Sequence, residues 1–89
     1  MGIKKIARPM NKAKNEFLKW LKKNNADNID IYAPEDSEWN YYVMVSGFIS
    51  SHLYTSTFMV LKEKQSVDYR YEGSIHRDLS VDEFLELIR

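Results

Sequence analysis

The sequence contains no cysteine, and it has only three glycines and two prolines among its 89 residues. Without cysteine the chain can form no disulfide framework, no thiolate nucleophile and no cysteine–zinc site. The scarcity of glycine and proline argues against a disordered chain. No apolar run approaches the roughly 18 residues of a membrane span, and the first ten residues lack the apolar region of a secretory signal. We therefore expect a cytoplasmic protein without a membrane partner, folded as one domain over residues 1–89.

Motifs for catalysis, metals and cofactors are missing as well. Ser50, Ser51 and His52 are neighbours in sequence, but a nucleophilic serine also needs an orienting acid and an oxyanion hole. His52 and His76 show no metal-ligand spacing, and the three glycines make no phosphate loop. We expect no enzyme activity, no metal and no cofactor.

The net charge of zero conceals two oppositely charged parts. Residues 1–25 contain eight basic residues and one acidic residue, for a net charge of +7, and residues 26–89 contain five basic and twelve acidic residues, for −7. A basic end can attract a polyanion. The alternative is that the basic segment packs near the acidic remainder and the two fields partly cancel.

The central segment, residues 38–61, is dominated by aromatic and β-branched residues, which favour strands. Its one interruption, at residues 50–52, predicts an antiparallel hairpin with strands at 38–49 and 53–61. In the first strand the odd-numbered positions, including Val43 and Val45, are the more aliphatic, so we assign them to the core. Gly47 in this strand indicates a bulge or a close approach of another segment. The second strand has no clearly apolar side.

Helices are predicted at both ends of this sheet. Residues 1–8 form a basic lead-in, and apolar residues at helical spacing, among them Phe17 and Leu21, predict a helix over residues 10–24. Short strands follow at 29–33, at 66–72 and, as an edge segment, at 75–77. Ser80 and Glu83 have the spacing of a capping box, which places the start of a C-terminal helix.

These elements predict an α+β fold in which an N-terminal helix, an antiparallel sheet of three to five strands and a C-terminal helix form a two-layer sandwich, α-β-β-β-β-α. Because no helix separates the strands, parallel pairing is excluded. Both helices are expected on one face of the sheet.

The other face of the sheet is the candidate site. Exposed apolar patches mark partner sites, and interfaces are enriched in Tyr, Phe and Met. The residues we expect on this face are Tyr42, Met44, Phe48, Tyr54 and Phe58. Two alternatives stay open, namely that the third strand faces the opposite way and that a second copy of the chain buries these residues.

Two functions agree with these features. The first is a non-catalytic interaction module, such as an inhibitor or accessory protein, that binds a protein through the aromatic sheet face or an edge strand. The alternative is a nucleic-acid-binding domain in which sheet aromatics stack on bases and helix lysines contact phosphates. The lysines assigned to that role are Lys12, Lys19, Lys22 and Lys23.

Overall fold

The computed structural model describes residues 8–33, 40–61 and 64–89. The elements in chain order are helix α1 (Arg8–Lys23), strands β1 (Asp27–Tyr32), β2 (Asn40–Ile49), β3 (His52–Leu61), β4 (Lys64–Tyr71) and β5 (Ser74–Leu79), and helix α2 (Val81–Ile88). The predicted α+β fold class is confirmed, and the described part of the sheet has five strands. Residues 1–7 of the predicted lead-in and residues 38–39 of the predicted long strand lie outside the described residues.

The sheet is an antiparallel meander in which every strand pairs with its neighbours in sequence, in the order β1-β2-β3-β4-β5. β2 and β3 pair without interruption from Asn40 opposite Leu61 to Ile49 opposite His52. Ser50 and Ser51 make the turn between them, and both have a positive φ, 51° and 69°. Two positive values in a two-residue loop are typical of a type I′ turn, whose twist matches that of the strands.

Both helices pack on one face of the sheet, which we call the covered face. Helix α1 lies over β2 and β3, α2 lies over β4 and β5, and the helices contact each other. Phe17 of α1 is fully buried, and its ring lies 6.4 Å from Phe58 of β3 and 5.8 Å from both Tyr69 of β4 and Phe84 of α2, measured between centroids. This aromatic contact joins the sheet and both helices into one core.

The core contains Phe17 and Leu21 of the predicted helical pattern in α1. Val45 is fully buried, as the assignment of odd positions on β2 requires. Gly47 marks a close approach, because an added Cβ would lie 3.3 Å from Leu21 and from Ala26. The buried apolar residues are Met10, Ala13, Phe17, Leu21, Val45, Phe58, Val67, Tyr69, Phe84 and Ile88.

Asparagine and serine side chains make hydrogen bonds to backbone groups at the C-terminal end of α1 and at the N-terminal end of α2. At the end of α1, the Asn24 side-chain amide donates to the Trp20 carbonyl over 2.8 Å, and Asn25 has a φ of 58°. Asparagine tolerates this left-handed conformation better than most residues. At the start of α2 the predicted capping box is present. Within the described residues, neither helix has the length and apolar character needed to cross a bilayer.

Candidate partner-binding surface

The face of the sheet opposite the helices, which we call the open face, has no covering element within the described residues. Directly opposed residues of antiparallel strands share a face. The even-numbered side chains of β2 from Tyr42 to Phe48 therefore lie on the open face together with the odd-numbered side chains of β3 from Leu53 to Met59. The same rule extends this face to Asp30 and Tyr32 on β1, to Asp68 and Arg70 on β4, and to Ile75 on β5.

The open face holds three of the five residues predicted for partner binding. Tyr42, Met44 and Phe48 lie on it, with Tyr42 and Met44 half-buried and Phe48 37 % exposed. Tyr54 and Phe58 lie on the covered face instead, opposite Gly47 and Val43. Phe58 is 1 % exposed and belongs to the core. The expected placement of Tyr54 and Phe58 is thus corrected, and β3 faces the opposite way from that expectation.

The open face also holds apolar residues that the sequence analysis did not assign to it. Tyr32 and Ile75 are each 52 % exposed and Leu53 is 46 % exposed, while Met59 is half-buried. A signal for Leu53 and Met59 was present in the sequence. A two-residue turn at Ser50 and Ser51 pairs odd positions of β2 with even positions of β3, so assigning that turn would have placed Leu53 and Met59 opposite Phe48 and Tyr42.

The apolar residues of the open face form two groups at opposite ends of the strands. The first group is Tyr32, Tyr42, Met44 and Met59, in which the rings of Tyr32 and Tyr42 lie 6.2 Å apart. The second group is Phe48, Leu53 and Ile75. Two small hydroxyl residues, Ser46 and Thr55, lie between the two groups, and a third, Thr57, lies opposite Met44.

The two edge strands of the sheet are irregular. The pairing register of β1 shifts between Asp27 and Asp30, where Asn28 has a φ of 51°. The register of β5 against β4 also shifts, and Asp78 has a φ of 58° and donates its backbone N–H to the Asp68 carboxylate over 2.9 Å. Irregular, charged edges resist the addition of a further strand. The edge strands are therefore poor sites for pairing with a strand of a partner. The open face, which offers side-chain contacts, is the better candidate for partner binding.

The predicted nucleic-acid residues divide between two surfaces of α1. Lys12, Lys19 and Lys23 line a groove between α1 and α2, whereas Lys22 is exposed outside it. The groove also includes Arg89, the C-cap residue of α2, which the sequence pattern did not select because it lies far from the lysines in sequence. Trp20, Leu85, Ile88 and the carboxylate of Glu16 also line the groove.

Two of the groove cations have carboxylate partners on their own helix. The Lys19 ammonium lies 3.7 Å from Glu16, and the Arg89 guanidinium lies 3.1 Å from Glu86. Lys12 and Lys23 make no ion pair with another described residue, so they are the cations of the groove most available to an anion.

The covered face contains an aromatic cluster beside the core. Tyr54 stacks on Tyr71 with centroids 5.6 Å apart, and the rings of Trp20 and Tyr54 meet edge to face with centroids 5.4 Å apart. Tyr69 and Tyr71 both stack against the ring of His76. Burial raises the pKa of the Tyr69 hydroxyl well above its ordinary value, and the neighbouring Tyr71 and Tyr54 raise it further.

The two histidines occupy separate places. The His52 Nδ1 lies 3.3 Å from a Glu72 carboxylate oxygen at the exposed end of the sheet. His76 lies on the covered face, and its Nε2 is buried without a hydrogen-bond partner among the described residues. No cluster of three or more His, Asp or Glu suited to a metal occurs in the described part of the chain.

No protein family, no curated protein and no solved structure matches this chain. The surfaces themselves are therefore the basis for assigning a function.

Proposed function

We propose that the chain is a small non-catalytic interaction module that binds a protein partner through the open face of its sheet. The observation that carries this proposal is the exposure of Tyr32, Phe48, Leu53 and Ile75 on a face without a covering element in the described residues. Leaving such side chains in water costs about 25 cal/mol for each Å² of apolar surface, and a partner that covers them recovers this free energy.

The composition of the face supports a protein partner. Tyrosine, phenylalanine and methionine are the residues in which protein interfaces are enriched, and the face supplies all three. The hydroxyl residues between the apolar groups provide hydrogen-bond donors and acceptors. We place this function in the cytoplasm, where a chain without cysteine loses nothing to the reducing environment. An inhibitor or an accessory subunit would act in this way.

A photocrosslinking amino acid at position 48 tests the proposal in cells of the source organism. We expect a protein adduct when the crosslinker replaces Phe48, because this side chain lies within the proposed interface. The same crosslinker at Leu87 is the matched control, since Leu87 is 43 % exposed on α2, on the opposite side of the molecule. Equal adducts at both positions, or none at position 48, would contradict the proposal.

A second candidate function is nucleic-acid binding, and the groove between α1 and α2 is the observation that favours it. Its lining includes the cations Lys12, Lys19, Lys23 and Arg89 together with Trp20 and one acidic residue, Glu16. Cations that follow a phosphate backbone next to an aromatic ring are typical of single-strand binding. This candidate ranks second because two of the four cations are already paired with carboxylates.

A further inference from the structure

The strand register arranges the open face in rows across β2 and β3. Phe48 lies opposite Leu53, Ser46 opposite Thr55, Met44 opposite Thr57 and Tyr42 opposite Met59. The two outer rows pair apolar residues and the row of Ser46 pairs hydroxyl residues, whereas the row of Met44 pairs an apolar side chain with the hydroxyl of Thr57. Exchanging β2 with β3 leaves the apolar or polar character of three of these four rows unchanged.

The flanking strands add opposite charges to one of these rows. Asp30 of β1 lies beside Ser46, and Arg70 of β4 lies beside Thr55. The row across four strands therefore begins with a carboxylate and ends with a guanidinium. Neither Asp30 nor Arg70 has an ion-pair partner among the described residues.

A two-fold rotation turns this row into a complementary surface. If the axis runs along the strands between β2 and β3, it places β2 over β3 and β1 over β4 of the second copy. Asp30 then faces Arg70 of the other chain, and the symmetry repeats this pair. The same rotation places Phe48 over Leu53 and Tyr42 over Met59, so apolar groups meet at both ends.

We propose that the protein partner of the open face is a second copy of this chain, docked sheet to sheet across this two-fold axis. The inference rests on the proposed function and names the occupant of the same surface. Two sheets packed in this way lie about 10 Å apart with their strands within roughly 30° of alignment. The ion pairs at the flanks fix the register, and the apolar rows supply the attraction.

The area of the open face sets the expected affinity of the proposed dimer. Four strands at a spacing of about 4.8 Å, each presenting four residues over roughly 27 Å, give a projected area of about 500 Å² per copy. The pair then buries about 1,000 Å², near the lower bound for a specific interface. The dimer should accordingly be concentration-dependent, with a dissociation constant in the micromolar range rather than the nanomolar range.

A two-fold axis across the strands is the competing arrangement. That axis would set Arg70 against Asp68 of the second copy and Asp30 against Tyr32. The Asp68 carboxylate already accepts the N–H of Asp78. Asp30 has no such partner among the described residues, so the axis along the strands gives this carboxylate a charge partner.

The test is a charge exchange measured by sedimentation at a series of concentrations. Asp30→Arg alone places two arginines together in each pair, and Arg70→Asp alone places two aspartates together. We expect each single variant to dimerise at least about tenfold more weakly than the parent chain. An equimolar mixture of the two should regain the dimer, because both pairs are then of opposite charge. Lys22→Glu, on the helix side, is the control and should leave the dimer unchanged.

The outcomes separate this inference from the proposed function. A parent chain that stays monomeric at several hundred micromolar, or a mixture that does not regain the dimer, would overturn the inference. Loss of the dimer with Asp68→Arg but not with Asp30→Arg would overturn the axis proposed here. The crosslinker at position 48 then distinguishes the proposed function from the proposed dimer. An adduct with the mass of two chains supports both proposals. An adduct with a different protein alone keeps the interaction face and rejects the second copy, and no adduct rejects both.

Discussion

Tyr69 combines a buried ring with a hydroxyl that ionises in alkaline solution. The residue is 3 % exposed and packs against Phe17 and Phe84. Its pKa is raised by burial first and by Tyr71 and Tyr54 second. The folded protein therefore keeps this hydroxyl protonated at a pH where the unfolded chain, with an ordinary tyrosine pKa of about 10, loses the proton.

We predict that the free energy of unfolding falls above about pH 10 and that Tyr69→Phe reduces this fall. Above that pH the folded state binds more protons than the unfolded state, so stability decreases as the pH rises. One proton supplies at most roughly 1.4 kcal/mol per pH unit, and we expect a part of that. Urea titrations between pH 8 and pH 11 measure the effect. Tyr32→Phe, on the open face, is the control, and equal slopes for the two variants would contradict the prediction.

The turn residues Ser50 and Ser51 explain which part of the site could be predicted from the sequence. The face assignment on β2 follows from aliphatic residues at odd positions, and Val45 fulfils it. On β3 both sides carry apolar residues, so composition does not distinguish them. The face of Phe58 is decided by whether the loop has two or three residues, because a shift of one residue turns every side chain over.

At the scale of elements, α2 shows how a short helix can be held at its start. The Ser80 hydroxyl accepts the N–H of Glu83 over 3.1 Å, and the Glu83 carboxylate accepts the N–H of Ser80 over 2.8 Å. Asp82 and Glu83 also place negative charge at the positive end of the helix dipole. A helix of eight residues is too short to be stable without such contacts and its packing.

We predict that Ser80→Ala lowers the free energy of unfolding by about 1 kcal/mol, because the N–H of Glu83 loses its acceptor. Chemical denaturation monitored by circular dichroism measures the change. Ser80→Asp is the matched control, since aspartate also caps helices and should retain most of the stability. A loss smaller than a few tenths of a kcal/mol for Ser80→Ala would show that the cap contributes little.

The positions of the helices could be predicted more completely than the irregular pairing of the edge strands. Helical periodicity and the capping box locate both helices to within about two residues, the usual margin for helix ends. The irregular pairing of β1 and β5 could not be read from the sequence, since Asn28 and Asp78 occur in ordinary polar contexts and their positive φ values depend on the neighbouring strand. The groove was missed for a related reason, because Arg89 approaches the lysines of α1 only through tertiary packing.

At the scale of the whole molecule, the two proposed activities use opposite sides. The apolar residues of the open face lie on the sheet, and the cations Lys12 and Lys23 lie in the groove between the helices. A partner on one side leaves the other side accessible. Measurements on one surface can therefore be made without disturbing the other.

If the groove binds nucleic acid, the affinity for a mixed-sequence single-stranded DNA should fall steeply with salt. Lys12→Glu with Lys23→Glu should weaken binding and reduce the slope of log affinity against log salt by about 1.4, which corresponds to two lost phosphate contacts. Fluorescence anisotropy between low and moderate salt measures both quantities. Lys22→Glu is the control, because Lys22 does not line the groove. A loss as large for Lys22→Glu would indicate an attraction to overall charge and not to the groove.

The meander topology also determines which contacts require the greatest loss of chain entropy when they form. Each strand pair is a local hairpin, and the β2–β3 loop closes over two residues. The contact of Phe17 with Phe84 joins residues that are 67 positions apart. Because closure entropy costs roughly 0.6 kcal/mol for each doubling of loop length, closing this contact costs about 3 kcal/mol more than closing the β2–β3 loop. The joining of the two helices near the ends of the chain thus costs more closure entropy than the hairpin steps from which the sheet can grow.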